Sequence, residues 1–195
     1  MSNTNKMSTK TLVLGAILTA LVFLLQYLGA FVRLGPFSIS LVLIPIVIGA
    51  ATCGVGIGAW LGLVFGAAVL LCGDAAAFLA VTVPGTLITV LVKGVLCGLC
   101  AGLSYKAIYK LTGKNLPAVL VAAIVCPVVN TGVFLLGCLV FFMEPITQWT
   151  AAAGLGADVG KYMIVVLVGG NFLVELASNM ILSPIVSRLL SVRKK

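Results

Sequence analysis

Lys93 and Glu175 are the residues whose positions most need explaining, because each is ionisable and each lies inside a long apolar run. Placing such a group in a bilayer costs at least about 2.5–3.5 kcal/mol, so it requires a partner or a task. Lys93 would sit about 13 Å into its run at the helical rise, where its stem can snorkel to the surface or its ammonium can face a bundle interior. Glu175 has Asn171 four residues before it and Asn179 four after, with Ser178 beside them. That spacing places all three on one helical face, which should look inward. Asn130 lies three residues after Pro127 in another apolar run, so a helix kink and a polar side chain coincide and can open a pocket. Two readings fit these groups and are compatible. One is a buried Lys93–Glu175 ion pair with amides as packing glue. The other is a polar pocket in which Lys93, Asn130, Asn171, Glu175 and Asn179 hydrogen-bond a small molecule. Asp74, at the end of a further apolar run, reads either as a solvated loop carboxylate or as a contact at the rim of such a pocket.

Catalysis has no visible apparatus. The chain contains no histidine, no paired-carboxylate arrangement and no Gly-x-x-x-x-Gly-Lys-Ser/Thr phosphate loop, so neither general-base chemistry nor ATP hydrolysis is expected of it. The six cysteines, Cys53, Cys72, Cys97, Cys100, Cys126 and Cys138, lie in or beside apolar runs, where Cys behaves as a small hydrophobe. Cys97-x-x-Cys100 without further ligands reads as packing rather than a metal or redox site. The expectation is a protein that is not an enzyme and carries no metal or cofactor.

The elements that must position these residues are membrane helices. Hydrophobic residues make up 62% of the chain and charged ones 8%, against roughly 25% charged in a soluble domain, so water is the wrong solvent. The expected fold is all-α and integral to the membrane: residues 1–195 form one domain of six transmembrane helices, approximately 11–32, 37–53, 56–73, 84–105, 116–142 and 162–190. The first run is too long for a signal-peptide core and is expected to be retained as a helix. An even number of spans puts both termini on one side. With that side inside, it carries Lys6, Lys10, Lys106, Lys110, Lys114, Arg188, Arg193, Lys194 and Lys195, and the outer side keeps Arg33 and Lys161 beside Asp74, Glu144 and Asp158. Basic residues mark the cytoplasmic side, so both termini are expected there, in a multi-pass protein of the plasma membrane. The net charge of +8 is then a topological signal and a contact for anionic lipid, and no nucleic-acid partner is expected.

Gly54, Gly58, Gly62 and Gly66 recur every four residues in the third span, and Gly94, Gly98 and Gly102 in the fourth; small residues at this spacing let helices approach closely. Pro45, Pro127 and Pro184 fall inside predicted spans. Phe37, Trp149 and Tyr162, near the outer boundary, read as interfacial anchors.

Six spans in about 190 residues, a basic tail, Ala16-Ile-Leu-Thr-Ala20 on the first helix, and Arg33-Leu-Gly-Pro-Phe-Ser-Ile-Ser40 leading into Leu43-Ile-Pro-Ile46 together resemble the S components of energy-coupling factor (ECF) transporters, which capture vitamins for a shared ATP-driven module. The resemblance covers about Thr11 to Leu190. It implies a prokaryotic plasma-membrane protein that works with a transmembrane coupling subunit and two ATP-binding subunits. Ala16 and Ala20 match the small-x-x-x-small motif that docks on the coupling subunit. It further implies a ligand pocket near the outer face, built largely from the fourth, fifth and sixth helices. Projected onto this chain, that pocket holds Lys93, Asn130 and Asn171, with segment 33–40, including Arg33, as its lid. After capture, the S component is expected to topple in the membrane and release substrate inward. Lys93 favours a substrate with a carboxylate or electron-rich oxygens, such as pantothenate, folate or a flavin. The alternative is a stand-alone secondary transporter using Lys93 and Glu175 as a proton relay, although no inverted repeat is evident. A non-transporting membrane scaffold or an integral-membrane enzyme is a further rival, the lack of catalytic residues arguing against the enzyme.

Overall fold

A computed structural model describes residues 8–30, 33–34, 37–38, 41–155 and 158–193. The chain runs through helix α1 (Thr9–Gly29), a two-residue antiparallel ladder of β1 (Arg33–Leu34) and β2 (Phe37–Ser38), then α2 (Leu43–Cys53), α3 (Val55–Leu71) and the single turn α4 (Ala76–Leu79). It continues through α5 (Val83–Thr112), α6 (Asn115–Phe141), α7 (Met143–Ala152) and the short α8 (Val159–Lys161). A π-helical stretch, Tyr162–Gly169, then leads directly into α9 (Gly170–Arg193).

Among the described residues four helical segments are long and apolar enough to cross a membrane: Thr9–Gly29, Val83–Thr112, Asn115–Phe141 and Val159–Arg188. The other two apolar helices, α2 and α3, are shorter. At 1.5 Å per residue α2 reaches only about 16 Å, roughly half of a hydrocarbon core. The second run is therefore helical over much less than the predicted 37–53. Phe37 and Ser38 pair with Leu34 and Arg33 instead. Pro45 consequently sits in the first turn of α2, where the backbone N–H has no helical acceptor to lose. Pro127 and Pro184 do lie inside helices. Gly54, with φ of +98°, joins α2 to α3 through a conformation that only glycine adopts readily.

The centre of the bundle is α5, which packs most extensively on α6 and on α3. The α3–α5 contact is backbone against backbone. A methyl group added at Gly62 would meet the carbonyl of Gly94, one at Gly94 would meet that of Gly62, and one at Gly98 would meet that of Gly58. The glycine periodicity is thus the seam of this helix pair. Leu61, Phe65, Val90, Cys97 and Ala101 on α3 and α5 join Val119, Ala122 and Cys126 of α6 in the larger of two buried clusters. α5 extends two turns past the predicted end, with Tyr105 and Tyr109 stacked 5.9 Å apart, and stops at Gly113, whose φ is +67°. Large apolar side chains such as Leu12, Ile17, Val140, Ile164, Leu173 and Ile181 remain exposed on the outside of the bundle, as lipid contact requires and water does not tolerate.

Candidate functional site

The elements alternate in direction, so one end of the bundle collects the end of α1, the end of α3, the start of α5, the second half of α6 and the start of α9. The opposite end carries Lys106, Lys110 and Lys114. At the first end these elements line a small polar cavity of about 60 Å³.

Five of the residues singled out from sequence line this cavity together: Asp74, Lys93, Asn130, Asn171 and Glu175. Asn171 Nδ2 donates to Glu175 Oε1 at 3.3 Å, the contact that their four-residue spacing predicted, and Asn130 approaches the same carboxylate. Lys93 does not snorkel. Its ammonium lies over the ring of Phe65, 5.3 Å from the centroid, and over that of Phe134 at 5.6 Å, a cation–π arrangement from two sides. Lys93 and Glu175 share the cavity without closing an ion pair. Asn179 is buried on the same face of α9 but lies outside the cavity lining. The backbone of Arg33 forms part of the short ladder, while its side chain and residues 35, 36, 39 and 40 of the expected lid lie outside the described residues.

Several lining residues carry no flag in the sequence reading. Gln26 of α1 is buried and donates its Nε2–H to Asp74 Oδ2, so Asp74 is held at the cavity wall rather than left in solvent. As an amide within an apolar run, Gln26 falls under the same cost argument as Asn130. Thr86 and Thr89 add hydroxyls from α5. Phe65, Phe78, Phe134 and Phe142 make the apolar wall, so α1, α3 and the single turn α4 contribute beside the three helices that were expected.

Trp149, expected as an interfacial anchor, belongs to a cap over this wall. α7 buries Ile146 and places the Trp149 ring edge-on to Phe78 at 5.6 Å. Phe78 also meets Phe134 at 5.6 Å and Phe142 at 4.9 Å, both near perpendicular. Replacing Phe78 with Ala removes the ring common to all three contacts. It is expected to cost about 3–5 kcal/mol, seen as a lower melting temperature in detergent, while Val81→Ala on the exposed side leaves the transition unchanged.

Ala16 and Ala20 are exposed on α1 and floor an apolar groove with Gly15, Thr19, Ile57 and Trp60. The Trp60 indole N–H donates to Thr19 Oγ1 at 3.1 Å, fixing the groove's α3 wall. Cys97 is buried and donates to the Gly94 carbonyl at 3.0 Å, which makes it part of the α5 packing. Among the described residues the cysteines are free and no group of three or more His, Cys, Asp or Glu side chains converges.

Comparison with the curated proteins and with the solved structures gave no match. Comparison with protein families gave one over residues 10–189, described as ECF transporter, substrate-specific component. With that match spanning nearly all of an apolar helical chain whose inward-facing polar residues gather in one cavity, the protein belongs to the ECF transporter substrate-specific components, the substrate-binding transmembrane subunits of a transport system.

Proposed function

We propose that the chain captures a vitamin or related micronutrient in the cavity around Lys93 and delivers it to an ATP-driven ECF module of one transmembrane coupling subunit and two ATPases. The observation that carries this reading is the convergence of Asp74, Lys93, Asn130, Asn171 and Glu175 at the end of the bundle remote from Lys106, Lys110 and Lys114. In the topology proposed here α1, α2, α3, α5, α6 and α9 are the six membrane elements, and α2 and α3 reach across only in company with their neighbours. Both termini and the lysine-rich end face the cytoplasm of a prokaryotic cell. The cavity then faces outward, where a scarce nutrient must be caught. A pantothenate-, folate- or flavin-like molecule offers oxygens to Lys93 and polar edges to the amides.

The coupling subunit docks along α1 at Ala16 and Ala20, whose small side chains admit a partner helix closely. Replacing both with Leu is expected to abolish co-purification with the module and uptake, while ligand affinity of the isolated subunit stays within about twofold, since the groove and the cavity share no lining residue. A doubly substituted protein that still assembles would refute the docking face. Uptake measured in cells with and without the ATPase subunits tests the whole reading. Transport that persists without them would favour an ion-coupled transporter.

A further inference from the structure

Resting on the capture reading, we propose that the ligand site is double: a second lobe between α6 and the π-helical stretch, lined by Thr131, Leu167, Val168 and Phe172, receives the far end of the ligand and selects it by length and shape. The first observation is one of room. The cavity at Asp74 and Thr89 holds about 60 Å³ and the second lobe about 50 Å³. A water molecule takes about 30 Å³ of the liquid, so each has space for about two waters, whereas small-molecule sites run from about 300 to 1,000 Å³. Neither lobe alone admits a vitamin-sized molecule, and capture requires the wall between them to part.

That wall is the second observation. Lys93, Asn130, Phe134 and Asn171 line both lobes, so these side chains form a septum. Its amides are turned by a common partner: Asn171 donates to Glu175 at 3.3 Å, and Asn130 approaches the same carboxylate. The oxygens left over, Asn130 Oδ1 and Asn171 Oδ1, are buried without a hydrogen-bond partner among the described residues. Buried polar atoms are almost always paired, and a ligand that passes through the septum with N–H or O–H groups at its middle satisfies both. Glu175 acts here as a positioning residue for the two amides. Lys93 stands on a flexible four-carbon stem, and swinging that stem aside joins the lobes.

The far wall of the second lobe is the third observation. Leu167 and Val168 belong to the π-helical stretch Tyr162–Gly169, while Thr131 comes from α6 and Phe172 from α9. π-Helical turns are mostly confined to single-turn bulges and are frequent at functional sites. Eight residues of this geometry stand here against a lobe whose opposite wall carries two unpartnered amide oxygens. Val165, on the same stretch, is 61% exposed on the outside of the bundle, whereas Val168 lines the lobe, so the two sides of the stretch can be altered separately.

Binding of riboflavin, folate and pantothenate to the purified protein in nanodiscs, read by calorimetry and native mass spectrometry, tests the second lobe. Val168→Phe, which fills the lobe, is expected to weaken whichever of these the unaltered protein binds by at least about tenfold. Val165→Phe is expected to leave that affinity within about twofold. Thr131→Val keeps the shape of the side chain and removes its hydroxyl; it should weaken binding by about three- to tenfold at an unchanged melting temperature of the free protein. Unchanged affinity in Val168→Phe, or in Thr131→Val where Val168→Phe does not fold, would overturn the second lobe and leave capture intact. Equal losses in Val165→Phe and Val168→Phe would assign the effect to the helix as scaffold and overturn it too. If the unaltered protein binds none of the three, the molecule it carries out of its native cells takes their place in the same comparison. If it carries none, the capture reading falls and the second lobe with it.

Discussion

Lys93→Met is expected to weaken ligand capture by on the order of 30-fold to several thousand-fold, the equivalent of about 2–5 kcal/mol for truncating one member of a desolvated charge contact. Met is the informative replacement because it keeps an unbranched stem of similar length between Phe65 and Phe134, where a thioether makes favourable contacts with both rings. The wall therefore stays filled and only the charge is removed. In the free protein the ammonium lies over the Phe65 and Phe134 rings in a cavity that Asp74 and Glu175 also line, without closing an ion pair to Glu175, and a buried cation so held contributes little to stability or opposes it. The melting temperature of the free Lys93→Met protein should accordingly hold or rise while affinity collapses. Calorimetry on the two proteins reads the first quantity and thermal unfolding the second. Undiminished affinity would remove Lys93 from the ligand site; a parallel loss of stability would instead assign it to the fold.

The contrast between these readouts bears on what could be seen in the sequence. Lys93, Glu175, Asn130 and Asn171 were legible one at a time, because a polar group in an apolar run is costly wherever the helix turns out to sit. The Asn171–Glu175 contact was legible as a pair, because a four-residue spacing fixes proximity on a single helix. Contacts between helices were not legible in the same way. Gln26 and Asp74 are 48 residues apart, and nothing in either neighbourhood names the other. Phe65, Phe78, Phe134 and Phe142 are four of nine phenylalanines; composition cannot tell a phenylalanine facing a cavity from one facing lipid, since both surroundings are apolar. For the same reason the predicted Lys93–Glu175 ion pair was a reasonable expectation from charge alone, yet the two groups found aromatic faces and amides respectively.

Helix count was easier than helix length. Apolar runs and basic flanks outlined the four membrane-long helices and the two shorter apolar ones among the described residues, but hydropathy over 37–53 could not register that Phe37 and Ser38 pair with Leu34 and Arg33 and that α2 begins only at Leu43. Nor did it single out α7, whose Trp149 and Ile146 cap the Phe78 cluster from a stretch that also carries Glu144, Thr147 and Gln148.

Glycine spacing, by contrast, carried through to a structural result with a large expected effect. Gly62→Ala is expected to destabilise the protein by about 1–3 kcal/mol or more, because the new methyl group meets the carbonyl of Gly94 on the facing helix. A backbone oxygen cannot rotate out of the way, so α3 and α5 must separate along their length. The same separation reaches the cavity: Phe65 lies next to Gly66 on α3, and Lys93 lies next to Gly94 on α5. Spreading the seam moves the Phe65 ring away from the ammonium it covers, so ligand affinity should fall together with stability, unlike in Lys93→Met. Gly56→Ala on the same helix is the matched control. A methyl group there meets nothing within 4 Å, and Ala is a better helix former than Gly by about 1 kcal/mol, so that variant should be neutral or slightly stabilised. Thermal unfolding in detergent compares the two directly. Equal melting temperatures for Gly62→Ala and Gly56→Ala would show that the α3–α5 seam has slack, and that the stripe of glycines does not set the spacing between Phe65 and Lys93.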